Sequence, residues 1–240
     1  MCTDKKHRRY GDFDITLNTG SEIIEPISSE KLLGGFISHD LKWNNHIKDN
    51  EKSMFKRLTS RINALGKMAK VAPFKTRKML ANGMVMSSLI YLIQVWGGSS
   101  LFLIKILQVL QNRAARIVTK SGWLTSTKSL LDQCGWLSVK QLVEYHSLLL
   151  VYKIKSEGKP AYLFTKLSQP FTSSTRFSAG NISENKIKET RNDNELHKSS
   201  FIPRTISSWN SIPSNVRLSP DLKTFKVRVK VWIRNNIDLK

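Results

Sequence analysis

Three kinds of residue could carry chemistry in this chain: paired carboxylates, histidines or cysteines at ligand spacing, and clustered cations. Two carboxylates on one turn between apolar strands can hold divalent metal ions. The nearest approach to that pattern is Tyr10-Gly11-Asp12-Phe13-Asp14. Phe13 separates the two acids, and Lys5-Lys6-His7-Arg8-Arg9 before them is not a buried strand. No two Asp residues are adjacent anywhere in the sequence. His7, His39, His46, His146 and His197 lack metal-ligand spacing. Neither Cys134 nor any serine lies in an elbow-type nucleophile motif. Cys2 and Cys134 are too few for a disulfide framework or a structural zinc site, which fits a reducing compartment. No catalytic residue, metal or cofactor is expected.

The cations are arranged differently. Lys52, Lys56, Arg57, Arg61, Lys67, Lys70, Lys75, Arg77 and Lys78 form the densest basic group. Residues 1 to 50 carry seven Lys or Arg against eight acids, whereas residues 51 to 120 carry thirteen against Glu51 alone. Residues 121 to 240 carry nineteen against nine, and the whole chain is at +21. A stretch so unbalanced cannot neutralise itself, and its self-repulsion disfavours a compact state unless an anion is near. A polyphosphate backbone supplies that anion, and lysine or arginine contacts to it set affinity without reading sequence. The alternative is a solvated basic surface; the regional placement of the charge favours RNA or DNA.

Arg113 and Arg116 are further candidates, either as phosphate contacts or as hydrogen-bonders to helix ends. Around them Ile106, Leu110, Ala114, Ile117 and Val118 recur at steps of three and four and share one helix face. Gln111, Asn112, Arg113 and Arg116 fall on other faces, free to meet a polar partner. The six tryptophans could serve as base-stacking platforms. Most are expected in the core; Trp123, in a loop, is the least committed. Arg204, between Pro203 and Thr205, reads as a packing residue of the tail.

These residues need elements to hold them. Phe13 to Asn18 and Glu22 to Ile27 read as strands around a turn at Asn18-Thr19-Gly20, and Lys31 to Ile37 as a third strand. From Asn44 the period changes. Ile47, Met54, Leu58, Ile62 and Leu65 form one stripe of a long helix. Pro73 opens a second helix, Thr76 to Val95, apolar nearly all round in its second half and therefore central. A third spans Leu101 to Lys120. Ser126 or Thr127 caps a short helix ending at Gly135, and Ser138 caps Val139 to Ser156. Pro160 starts a brief helical turn. Residues 168 to 199 are polar and aperiodic and read as a flexible loop. Phe201 to Pro213 and the helix after Pro220-Asp221, with Leu222, Phe225, Val229 and Trp232 on one face, complete the chain.

Several blocks together resemble the region C-terminal to the palm in LINE-type, Jockey-like non-LTR retrotransposon reverse transcriptases. The first is Leu33-Gly34, Phe36-Ile37, Asp40-Leu41, Trp43 and His46-Ile47. The second is Trp96-Gly97 followed by Leu107-Gln108 and Gln111-Asn112-Arg113-Ala114-Ala115-Arg116. The third is Cys134-Gly135-Trp136-Leu137 with Tyr145-His146 and Tyr152-Lys153. The last runs from Phe201-Ile202-Pro203-Arg204-Thr205 through Trp209-Asn210-Ser211-Ile212-Pro213 to Ser219-Pro220, Phe225 and Lys226. Leu32 stands where the family often has an aromatic, and Gly35 where it usually has a β-branched residue.

The resemblance implies a mainly α fold in four parts. Residues 1–43 would be a small antiparallel β unit, the end of a palm; 44–167 a helical thumb-like bundle; 168–199 the flexible loop; 200–240 a C-terminal helical extension. It implies template–primer duplex as the partner, with Lys52, Lys56, Arg57, Arg61, Lys67, Lys70, Lys75, Arg77, Lys78, Arg113 and Arg116 as its contacts. The chain is expected to begin after the catalytic palm, so nucleotidyl transfer and its Mg2+ would belong only to a full-length RNA-directed DNA polymerase parent. The contrasting expectation is a helical interaction module for an acidic partner, with no nucleic-acid role. No run of eighteen apolar residues exists, so no membrane span is expected. The basic N-terminus has no apolar stretch behind it, so no secretory signal is expected. A nuclear or cytoplasmic ribonucleoprotein setting fits these features.

Overall fold

The computed structural model describes residues 15–16, 23–24, 27–168, 186–189 and 194–237. The fold is mainly α, with small antiparallel strand pairs at its N-terminal side, as the sequence implies. Ile15–Thr16 (β1) pairs with Ile23–Ile24 (β2). The single strand expected over Lys31 to Ile37 is instead a hairpin, Ser29–Leu32 (β3) against Gly35–Ser38 (β4). Leu33 and Gly34 at its tip have φ of 48° and 82°, the positive values a two-residue hairpin turn requires. The apolar Leu32-Leu33 run conceals this turn from a reading by periodicity. Gly35 permits a close approach: a Cβ there would lie 3.0 Å from Leu92 Cδ1.

The long helix expected from Asn44 is two pieces. Asn45–Asp49 is a single π-helical turn, and Asn50 is extended. Asn50 Oδ1 accepts from the Lys52 N–H at 2.8 Å, a local bond that competes with helix. Ser53 then caps Met54–Met68 (α1), its Oγ accepting from the Lys56 N–H at 3.5 Å. The apolar stripe survives the break, since Ile47, Met54, Leu58, Ile62 and Leu65 are all buried.

The second long helix is also divided. Phe74–Ala81 (α2) passes through a π turn, Asn82–Met86, into Ser87–Ile90 (α3). Tyr91 is extended and Leu92 left-handed before Ile93–Trp96 (α4). Tertiary bonds hold the break. The Tyr91 hydroxyl donates to Leu33 O, and buried Trp96 donates through Nε1 to Tyr91 O at 2.9 Å. Leu89, Ile93 and Trp96 are fully buried, but Met79, Tyr91 and Val95 are exposed, so the segment is less uniformly central than its composition suggests.

Leu101–Thr119 (α5) is unbroken. Ser126 caps Thr127–Cys134 (α6), which ends on left-handed Gly135. Val139–Glu157 (α7) begins with a full capping box between Ser138 and Gln141 and ends on left-handed Gly158. Ala161–Leu167 (α8), Glu195–Ser199 (α9), Phe201–Ser211 (α10), Ser214–Arg217 (α11) and Leu222–Asn236 (α12) follow. Within the stretch expected to be loop, α9 is helical and Ile187 is buried. Asn210 clamps Ile187 at both backbone groups, at 2.9 and 2.8 Å. Most of that stretch lies outside the described residues, as does Tyr10 to Asp14.

The buried residues form one cluster from Ile47 to Ile233. Helix α5 packs on α1, α2, α6 and α7, while α10 and α12 pack on α7. Trp96, Trp136 and Trp209 are buried and Trp43 and Trp232 are packed against the cluster, as core tryptophans should be. Trp123 is 80 % exposed.

Candidate nucleic-acid interface

Helix α1 buries Met54, Leu58, Ile62 and Leu65, so at 100° per residue its opposite face carries Lys56, Ser60, Asn63 and Lys67. These side chains, with Phe55, Thr59 and Ala64, line an open groove of about 490 Å³. Lys56 and Lys67 are exposed within it and lie roughly 16 Å apart along the axis at 1.5 Å per residue. Arg113 reaches the same groove from α5, its Nη2 donating to Asn63 Oδ1 at 2.8 Å. Gly66 lies where α1 meets α5; a Cβ there would meet only Ile117 Cδ1, at 3.7 Å, an ordinary contact. The groove itself is lined by α1 alone, and Arg113 of α5 borders it through Asn63; this border is the α1–α5 seam. Arg116, one turn beyond Arg113, donates to Trp123 O at 3.2 Å.

Arg57 and Arg61 belong to another flank of α1. Arg61 Nη1 donates to Met84 O at 3.0 Å and to Ser88 Oγ, so it is oriented toward the π turn. Burial, and then the neighbouring Arg61 charge, lower the pKa of Arg57, with Tyr91 acting in the opposite direction. The two guanidinia are like charges at i, i+4, and neither belongs to an ion pair found among the described residues. Lys52, Lys70 and Lys75 are exposed at the ends of α1 and α2.

Arg77 is not a surface contact. It is 6 % exposed. Its Nε donates to Val118 O at 2.8 Å and its Nη1 to Ala72 O at 2.6 Å. The Val118 carbonyl belongs to the last turn of α5, where a cation complements the helix dipole. Arg77 therefore ties α2 to the end of α5. Gln111 and Asn112 also depart from expectation. Gln111 is fully buried, donating to Leu137 O at 2.8 Å, and Asn112 donates to Thr127 Oγ1 at 2.9 Å. Both are occupied inside the fold.

Lys78 is half-buried; its Nζ would lie 3.6 Å from a Cβ at Gly135. It shares its surroundings with two cations of α12 that sequence reading passed over. Burial first, then Arg234 and Lys78, lower the pKa of Lys230. A signal was present: from Leu222 to Asn236 there are Lys223, Lys226, Arg228, Lys230 and Arg234 and no acid. Arg204 donates to Gln94 O at 3.4 Å, the packing role expected of it.

Among the described residues the ion pairs are Lys42 with Asp40 at 3.6 Å and Lys198 with Glu195 at 3.1 Å. Neither includes a cation of α1, α2 or α5. From Lys52 to Leu131 the sequence contains no acid at all.

His46 is the most perturbed histidine. The Phe36 N–H donates to its Nδ1 at 3.3 Å, so the neutral ring carries its proton on Nε2. Burial, and then the Arg57 charge, push its pKa down to about 4. No group of three His, Cys, Asp or Glu that could hold a metal occurs among the described residues. No helix among them is long and apolar enough to cross a membrane. Comparison with family models, characterised proteins and solved structures finds no match to this chain.

Proposed function

We propose that the chain is a nucleic-acid-binding module, the thumb-like C-terminal part of a LINE-type reverse transcriptase. It would hold template–primer duplex along the α1–α5 seam and transfer no nucleotides itself. The observation that carries this reading is the run of cations from Lys52 to Lys120 with no internal counter-ion. Polyphosphate offers repeated negative charge along a line, and the Lys56 to Lys67 span corresponds to roughly five steps of about 3.4 Å along one strand. Asn63 and Ser60 between them add neutral donors of the kind that fix register on phosphate and sugar.

The test is a salt titration of duplex binding. If about four to six side chains neutralise phosphates, log K falls against log salt with a slope near −0.9 per contact. That amounts to on the order of 10²–10³ in affinity between 50 and 200 mM. A slope near zero would overturn phosphate contact, and equal competition by polyglutamate would transfer the site to an acidic protein partner. The catalytic half of the proposal is tested with primed RNA, Mg2+ and nucleotides. No extension is expected, because no adjacent carboxylates exist to hold two metal ions.

A further inference from the structure

Trp123 and Leu124 are 80 % and 79 % exposed and stand side by side. They are the central residues of a tight turn closed by the Thr125 N–H donating to Gly122 O at 3.3 Å. Both ends of the turn are anchored. Arg116 holds the Trp123 carbonyl from α5. On the other side Ser126 caps α6, and Thr127 accepts from Asn112, also on α5. The pair is thus held out by an ordered turn, and much of the entropy cost of fixing it has been met by folding. An aromatic and a leucine presented together on an anchored turn are a contact surface rather than scattered apolar exposure.

The charge around the turn selects the partner. Arg116, Lys120 and Lys128 flank it in sequence, and the nearest acid along the chain is Asp132. The turn also continues the seam described above. Asn63 touches Arg113, Arg116 lies one helical turn on, and Arg116 touches Trp123. An aromatic face among cations suits an unpaired nucleotide, whose base stacks on the ring while its phosphates meet the lysines and arginines.

We propose that Trp123 is a stacking platform for an unpaired base at the end of the duplex seated along the α1–α5 seam. This rests on the nucleic-acid reading above. The partner is a duplex with a single-stranded extension.

The experiment compares a labelled blunt duplex with the same duplex carrying a short overhang, using the full chain, W123A and W123F. The wild-type chain should prefer the overhang. W123A should lose affinity for the overhang substrate on the order of 5- to 100-fold, the range for one stacked base. It should bind blunt duplex within about twofold of wild type, and W123F should keep most of the preference. Equal affinity of W123A and wild type for the overhang substrate, or equal loss on both substrates, overturns stacking and leaves the duplex reading standing. Failure of the wild-type chain to bind either substrate overturns both. Anionic vesicles form the last arm. Loss of vesicle binding by W123A with unchanged oligonucleotide binding assigns the turn to a lipid surface and overturns the proposal.

Discussion

Arg77 and Lys56 show how one residue type can serve opposite ends. Both lie in the basic run, but Arg77 directs its fork to the carbonyls of Val118 in α5 and Ala72 before α2, while Lys56 is exposed in the groove. Arg77→Ala removes two charge-assisted bonds and leaves Val118 O and Ala72 O to find other donors. It should destabilise the chain by about 2–4 kcal/mol in urea denaturation. Lysine cannot restore it, since a single ammonium does not reproduce the fork. Lys56→Ala should change stability by less than about 0.5 kcal/mol while weakening duplex binding. A Lys56→Ala variant as unstable as Arg77→Ala would place Lys56 in the scaffold instead.

His46 gives the pH dependence at this scale. Its folded pKa, about 4, lies below its ordinary 6.5. The unfolded chain therefore binds the proton first. Above 6.5 both states are neutral and the full stability is present. As pH falls from 6.5 toward 4 the unfolded state is favoured, at no more than about 1.4 kcal/mol per pH unit. Protonation would also end the bond that Nδ1 accepts from Phe36. Urea midpoints measured across this range should decline for the wild-type chain and decline less for His46→Gln. Parallel declines in the two proteins would assign the effect to other groups.

At the scale of elements, α5 is the strut, and its amides do the joining. Gln108 Oε1 accepts from the Val139 N–H at 2.8 Å, the first residue of α7. Its Nε2 donates to Gln111 Oε1 and Asn112 Oδ1, at 2.9 and 2.8 Å. Gln111 and Asn112 pass the network to Leu137 O and to Thr127 at the start of α6. Gln108→Ala leaves a helix N-terminal donor and two acceptors short of a partner, and should cost about 1–3 kcal/mol. Because the three amides act together, Gln108→Ala with Asn112→Ala should cost less than the sum of the two single changes. Strict additivity in a denaturation cycle would mean that the network is only a set of separate bonds.

The same helix marks what the sequence could convey. Its length, the α1 stripe, the Ser126 and Ser138 caps and the glycine stops are local signals, and they read correctly. The hairpin at Leu33-Gly34 and the break at Tyr91-Leu92 did not show. They are fixed by Tyr91, Trp96 and Leu92, which meet their partners only in the folded chain. Gln111 looked free for the same reason: its partner, Leu137 O, is 26 residues away. Of the site, the basic run was legible as composition. Its division into a groove face, the Arg57–Arg61 flank and a buried Arg77 depends on helix phase and on what packs beside α1.

At the scale of the molecule, the chain carries +21 and the described ion pairs hold few of its cations. Net charge alone would attract any polyanion, so the seam must be separated from composition. Lys56, Lys67 and Arg113 line or reach the groove, whereas Lys140, Lys153 and Lys166 are exposed on α7 and α8. Changing either trio to glutamate alters net charge equally. If the seam seats a backbone, the first trio loses three phosphate contacts, and its salt slope should flatten by about two to three units. The second trio lowers only the general field, which salt screens within about 10 Å at 0.1 M. It should therefore weaken binding at low salt and leave the slope nearly unchanged. Circular dichroism would verify that both variants fold, since every substituted side chain is exposed. Equal slopes and equal losses in the two trios would reduce the interface to net charge, and the α1–α5 groove would then have no part in seating the duplex.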